Sequence, residues 1–289
     1  MPRSSADSVT GVPAAAPDPR ADAAGGAVPR ATGNTISIKD VTVRYRGRGR
    51  KAAASPPAVA GVSAEIGAGE FVGIIGPSGC GKSTLLKAVA GLIPLSGGTV
   101  THGGGPDAKV GFLFQSDALL PWRTARENVE LALRMSGNPD AGGKDRAMEL
   151  LAEIGLAESA DKYPAQLSGG MRKRVAMART LAYEPSVFLM DEPFSALDAQ
   201  TRIHVGNFFL RILERTGQTV LFVTHDIEEG VALADRVLVM SKGPGRIAAS
   251  IDVDLPRPRD YHTTRFTDGF GDLQQRVWDA LDSSHGGVE

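Results

Sequence analysis

Three glycines, one lysine and three hydroxyls are packed into the nine residues Gly76-Pro77-Ser78-Gly79-Cys80-Gly81-Lys82-Ser83-Thr84, directly behind the apolar run Phe71-Val72-Gly73-Ile74-Ile75. Gly76, Gly81, Lys82 and Ser83 fall into the spacing G-x-x-x-x-G-K-[ST]. Glycines let a backbone turn tightly enough for its N–H groups to surround phosphate oxygens. A helix starting near Lys82 would direct its positive dipole end at the same anion. Lys82 would neutralise β- and γ-phosphates, and the Ser83 hydroxyl would take one coordination position on Mg2+. The chemistry implied is the binding of a nucleoside triphosphate.

A second group begins 86 residues after Lys82 (168 − 82), with Leu167-Ser168-Gly169-Gly170-Met171, and Val187-Phe188-Leu189-Met190-Asp191-Glu192 follows it. Four apolar residues ending in Asp-Glu read as a buried strand that delivers two carboxylates to its C-terminal edge. Asp191 would hold Mg2+ indirectly, and Glu192 could take a proton from the attacking water. A helix from Gly170 to Ala182 would aim its N-terminal amides at an anion. Its basic residues Arg172, Lys173, Arg174 and Arg179 are expected on the solvated face.

The elements that must position these groups are also legible. Residues 36–38 and 41–45 alternate as a strand, and residues 59–66 and 71–75 are expected to continue the same sheet. Between them, Arg44, Arg46, Arg48, Arg50 and Lys51 read as a solvated loop rather than a nucleic-acid patch, because no aromatic beyond Tyr45 is interleaved. Lys82 to Ala90 forms a helix that Gly91 ends. Thr124-Ala125-Arg126-Glu127 is a capping box opening a helix with Val129, Leu131, Ala132, Leu133 and Met135, and a second helix over residues 144–154 stops at Gly155. Residues 110–114 and 220–224 are strands, and the alternation after Asp198 is that of a parallel sheet. Phe266, Phe270, Leu273, Val277, Trp278 and Leu281 recur at helical spacing and are expected to pack.

Composition narrows the classes. Hydrophobic residues make up 42% of 289, enough for a full core, and 32 basic against 33 acidic residues leave no field for nucleic acid. No apolar run reaches the ~18 residues of a membrane span. The lone Cys80 excludes an internal disulfide, consistent with a reducing cytoplasm. A bulky adduct on its thiol is expected to clash with bound phosphates. Residues 1–33, rich in Ala, Pro, Gly, Asp and Arg, read as a disordered tail without the apolar region of a signal peptide. His102, His204, His262 and His285 lack metal-ligand spacing.

Taken together, the phosphate loop, the LSGG turn and the Asp-Glu strand resemble the ATP-binding cassette (ABC) family over residues 36–255. The resemblance implies an α/β fold: a P-loop NTPase core of ABC type with an antiparallel β subdomain and a helical insertion subdomain. It sets a cassette at residues 34–260, a helical subdomain at about 116–180, and a C-terminal helix and tail at 261–289. It implies that Pro77, Ser78, Gly79, Cys80 and Thr84 complete the ATP-binding loop and that Tyr45 stacks on adenine. Gln115 resembles the Q-loop glutamine that touches Mg2+ and senses the γ-phosphate. Ser195-Ala196-Leu197-Asp198 resembles the D-loop that crosses to the partner subunit. His225 resembles the switch histidine that contacts the γ-phosphate. Ser168, Gly169 and Gly170 would complete the site of a second copy of the subunit, so that two chains sandwich two ATP molecules. Lys173 departs from the family, where Gln is common.

Phe114-Gln115-Ser116-Asp117-Ala118-Leu119-Leu120-Pro121-Trp122-Arg123-Thr124 and Val253-Asp254-Leu255-Pro256-Arg257-Pro258-Arg259 resemble importer ATPases of the nitrate, sulfonate and taurine group. That resemblance implies transmembrane permease subunits, an extracytoplasmic solute-binding protein, no nucleic acid, and a place on the cytoplasmic side of the membrane. An unfused exporter or another solute are the alternatives. A DNA-repair cassette would need long coiled coils where 86 residues stand, and a non-hydrolysing scaffold would be expected to lack Glu192 or His225. The cluster Leu119, Leu120 and Trp122 is expected to line an interface rather than a free loop.

Overall fold

The computed structural model describes residues 33–45, 56–137, 143–195 and 197–284, the Leu213 side chain excepted. Residues 1–32, the stretch bearing Arg46, Arg48, Arg50 and Lys51, as well as Ala196 and His285, lie outside the described residues. The described strands are β1 (Ile36–Val43), β2 (Val59–Ile66), β3 (Phe71–Ile75), β4 (Gly97–His102), β5 (Val110–Leu113), β6 (Val187–Asp191), β7 (Thr219–Val223), β8 (Arg236–Met240) and β9 (Ile247–Asp252). The helices are α1 (Lys82–Val89), α2 (Ala125–Met135), α3 (Gly143–Glu153), α4 (Gly169–Ala182), α5 (Ala199–Thr216), α6 (Ile227–Leu233) and α7 (Phe270–Ser284).

The strands form two sheets, so β2 and β3 do not continue one sheet as expected. The smaller is antiparallel, ordered β2-β1-β4, and the larger is ordered β5-β6-β7-β3-β8-β9. β3, β5, β6, β7 and β8 are mutually parallel, whereas β9 runs antiparallel to β8. Only residues 241–246 join β8 to β9, too few for the crossover a parallel pair requires.

The central strands are apolar throughout because both faces are covered. Val72, Ile74, Leu189, Leu221, Leu238 and Met240 pack with α1 and the antiparallel sheet through Leu85, Leu86, Ile36 and Ile38. Their neighbours Phe71, Ile75, Phe188, Met190, Phe222 and Val239 face the other way, into a core shared with α4, α5, α6 and α7. The period-2 alternation thus places two different cores on one sheet.

The α2 helix opens with the expected box: Thr124 Oγ1 accepts from Glu127 N at 3.2 Å and Glu127 Oε2 accepts from Thr124 N at 2.8 Å. Buried Asn128 donates to the carbonyls of Leu120, Arg123 and Thr124 and accepts from Leu120 N, which fixes the preceding turn. At the other end Phe270, Leu273 and Val277 of α7 are buried as expected, but Phe266 and Trp278 are exposed. Trp278 sits on the outward side of α7, whereas Phe266 lies before that helix, at the end of the short 3-10 turn Thr264–Phe266. Arg259 is buried and donates to the carbonyls of Ala234, Val253 and Leu255, while Arg257 bridges Asp235 and Glu214. No helix among the described residues is long and apolar enough to cross a membrane.

Candidate functional site

In a parallel sheet every strand ends at the same edge, and the chemistry-bearing residues follow the C-terminal ends of β3, β5, β6 and β7. Residues 76–81 turn out of β3 into α1. Gly81 has φ +102°, and a Cβ there would stand 2.7 Å from Ala58 O, so the helix start requires glycine. Lys82 Nζ arches back over the turn to Gly76 O (2.7 Å) and Pro77 O (3.1 Å). Tyr45, exposed at the rim, shares a 3.0 Å hydrogen bond with Thr84 Oγ1. The α1 helix has no acidic residue in its first turn, which leaves its positive end to an anion.

Cys80 departs from expectation. Its side chain is 0% exposed and belongs to the core beneath the loop, so it turns away from the phosphate side. Burial pushes its thiol pKa up, against the opposing pull of Lys82.

Ser83 Oγ donates to Asp191 Oδ1 at 2.7 Å, and Asp191 is 2% exposed. A hydroxyl and a buried carboxylate are the hard oxygen ligands that suit Mg2+. Glu192, next in sequence, has φ +47° and gives its N–H to Val223 O across the sheet. That left-handed turn lifts its carboxylate off the strand. Gln115 Nε2 donates to Glu192 Oε2 at 3.1 Å, and His225 Nδ1 lies 3.6 Å from Glu192 Oε1. Ser195 Oγ donates to Glu192 O at 3.1 Å, and Asp198 Oδ1 accepts from Thr201 N, so both ends of the predicted D-loop are tied down.

Ser168 caps α4, its Oγ accepting from Met171 N at 3.2 Å, and with Gly169 and Gly170 it opens that helix outward. The structure brings Lys82, Ser83, Gln115, Asp191, Glu192 and His225 to one edge. The Ser168 turn lies at the start of α4, with Ser168 exposed.

The expected solvated face of α4 is overturned. Lys173 is 0% exposed, and its Nζ donates to Phe114 O (2.8 Å) and Gln115 O (3.1 Å). Arg172 pairs with Asp117 at 3.0 Å, Arg174 donates to Ile154 O, and Arg179 donates to Ala118 O. Helical phase carried the signal, since Lys173 precedes the buried Ala176 and Met177 by three and four residues. Arg202 and Glu229 also escaped notice. Thr224 Oγ1 donates to buried Glu229 Oε2 at 2.6 Å, and Arg202 lies 3.8 Å from both Glu229 and Asp226, bracing the segment that carries His225.

A phosphate loop, an Asp-Glu strand end and a histidine just past the end of the next strand define a P-loop NTPase. The "ABC transporter" family model matches residues 59–195. The aliphatic sulfonates import ATP-binding protein SsuB 2 of Agrobacterium fabrum is 45% identical over 75% of this chain and 81% of its own. The taurine import ATP-binding protein TauB of Rhizobium johnstonii is 43% identical over 77% and 88%. Among solved structures, the dimeric post-hydrolysis state of the ATP-binding cassette MJ0796 bound to ADP and Pi superposes with TM-score 0.67 and 34% identity, covering 75% of this chain and 98% of that one. The chain belongs to the ABC transporter family as an ATP-binding subunit, and it is an ATPase.

Proposed function

We propose that this ATPase powers uptake of a small organosulfonate through a separate permease, working as a dimer at the cytoplasmic face of the membrane. The convergence of Gln115, Glu192 and His225 behind the phosphate loop is the observation that carries the hydrolytic part. The sulfonate and taurine importers among its relatives support the solute class.

The loop amides and Lys82 bind and neutralise the β- and γ-phosphates, and Tyr45 offers its ring to the adenine. Ser83 and Gln115 directly, and Asp191 indirectly, would hold Mg2+, which when bound would offset phosphate charge. Glu192 takes the proton of the attacking water on its carboxylate, while His225 and Gln115 orient that carboxylate and sense the γ-phosphate. Ser168, Gly169 and Gly170 from a second copy close the site, excluding water and holding the phosphate from the other side. Hydrolysis removes that bridge and the dimer opens. Trp122, two residues on from Leu120 of a groove of about 330 Å³ that Leu131, Met135 and Tyr183 also line, would receive a cytoplasmic helix of the permease. An extracytoplasmic solute-binding protein would act on the far side, through the permease.

Phosphate release by the purified chain tests the hydrolytic part. Glu192→Gln should keep ATP affinity and lose about 10²-fold or more of turnover; near-normal turnover would refute the general-base role. For the solute, the ATPase is reconstituted with its co-encoded permease and binding protein and given taurine, an alkanesulfonate or nitrate. Stimulation by the sulfonates supports the reading, and stimulation by nitrate alone or by none of the three overturns it.

A further inference from the structure

We infer that Lys173 is a positioning residue that holds Gln115 against Glu192, so that the Ser168 helix and the glutamine segment move as one piece. The inference rests on the ATPase reading above. Lys173 lies five residues into α4, wholly buried, with its Nζ divided between the carbonyls of Phe114 (2.8 Å) and Gln115 (3.1 Å). Those two residues follow directly on β5, and the Gln115 side chain then reaches Glu192 at 3.1 Å. Two flanking cations extend the grip: Arg172 takes the Asp117 carboxylate (3.0 Å), and Arg179 takes Ala118 O (2.6 Å) and Asp117 O (3.4 Å). Residues 114–118 are thus suspended from one helix by three basic side chains. That helix opens at the turn expected to meet the partner's phosphate.

Lysine is a specific choice here. Its partners in the pocket are neutral carbonyls, and burying an ammonium is costly unless its hydrogen bonds are made. Burial lowers the amine's pKa, opposed by the Asp117, Asp191 and Glu192 carboxylates. A glutamine would present a shorter, neutral donor to the same two oxygens. Any tilt of α4 relative to the sheet therefore pulls on the Gln115 backbone directly, and through its amide on the carboxylate that takes the proton.

The test is steady-state ATP hydrolysis by the full chain as wild type, Lys173→Met, Lys173→Gln, Gln115→Ala and the Lys173→Met/Gln115→Ala double variant, each with a melting curve. Lys173→Met keeps the length of the side chain and removes its donors. We expect it to lower kcat about 10-fold while KM for ATP stays within about 2-fold. Lys173→Gln should recover to within about 3-fold of wild type, and Lys173→Met should add nothing in the Gln115→Ala background. Wild-type turnover in Lys173→Met, a glutamine variant as poor as the methionine one, or losses that multiply in the double variant would each overturn the positioning role alone. If Lys173→Met does not fold, Lys173→Gln runs the same cycle. A loss of about 2-fold that disappears on Gln115→Ala supports the inference, and an equal loss on both backgrounds overturns it. If Gln115→Ala itself turns over normally, the role given to Gln115 falls and the positioning role falls with it.

Discussion

Glu192 reaches its place through backbone rather than side-chain choice. Five buried residues, Val187–Asp191, carry β6 to the sheet edge, and a left-handed step at φ +47° then turns the next carboxylate toward Gln115 and His225. A non-glycine residue in that region costs on the order of 1 kcal/mol or more, and such outliers cluster at functional sites. Cys80 illustrates the opposite case, a motif residue whose side chain leaves the site. With its thiol wholly buried and its pKa raised by burial, Cys80 should resist maleimide at neutral pH whether or not ATP is present, and should label only on denaturation. Rapid labelling of the native chain, slowed by ATP, would contradict the observed orientation. Residue types and spacing were enough to single out Lys82, Ser83, Asp191 and Glu192 as candidates that the structure brings to one sheet edge, because a phosphate loop is defined by backbone shape and by which chemistry follows it. Spacing says nothing about where an x-position side chain points, so the burial of the Cys80 thiol was not legible in it. Lys173 was misplaced because charge was weighed above helical phase.

Among the elements, those with strong periodicity were legible: the capped α2, the apolar strands β3, β6 and β7, and the helix after the LSGG turn. β4 gave no signal, since Gly97, Thr99 and Thr101 pair with β1 without burying an apolar face. The split into two sheets was invisible to local pattern for the same reason, as register across distant strands is a tertiary fact. The stretch from Val253 to Arg259, known at first only by resemblance, now has a physical role. Arg259 gathers three carbonyls and Arg257 two carboxylates, which ties β9 to the start of β8 and to α5. On α6, Glu229 lies under the His225 segment. Burial raises its pKa above the ordinary 4.5, with Asp226 adding to the effect and the Thr224 hydroxyl, Arg202 and His225 opposing it. A raised folded-state pKa gives stability that is full below about 4.5 and is lost as pH rises through the raised value. Glu229→Gln removes that titration. Its melting temperature relative to wild type should therefore climb as pH increases from about 4.5, and a difference that stays constant with pH would contradict the assignment.

At the scale of the whole molecule, the surface divides into two regions with different expected neighbours. Leu119 and Leu120 of the apolar cluster are half-buried, whereas Trp122 is 71% exposed on a turn that Asn128 fixes from within. A large exposed aromatic on a rigid turn suits a docking helix. Trp122→Ala with Arg123→Ala should leave melting temperature and ATP binding nearly unchanged while abolishing co-purification with the co-encoded permease. Full retention of the permease, or collapse of the fold, would contradict this. The second region is the outward face of Ser168, Gly169 and Gly170, which the account assigns to a second copy of the chain. The most direct measurement is the mass in solution of the Glu192→Gln chain, by light scattering, with and without saturating ATP and Mg2+. The account predicts 30.2 kDa without nucleotide and a doubling with it, reversed by the further change Lys82→Ala. A mass that stays at 30.2 kDa when ATP is demonstrably bound would contradict the shared-site account.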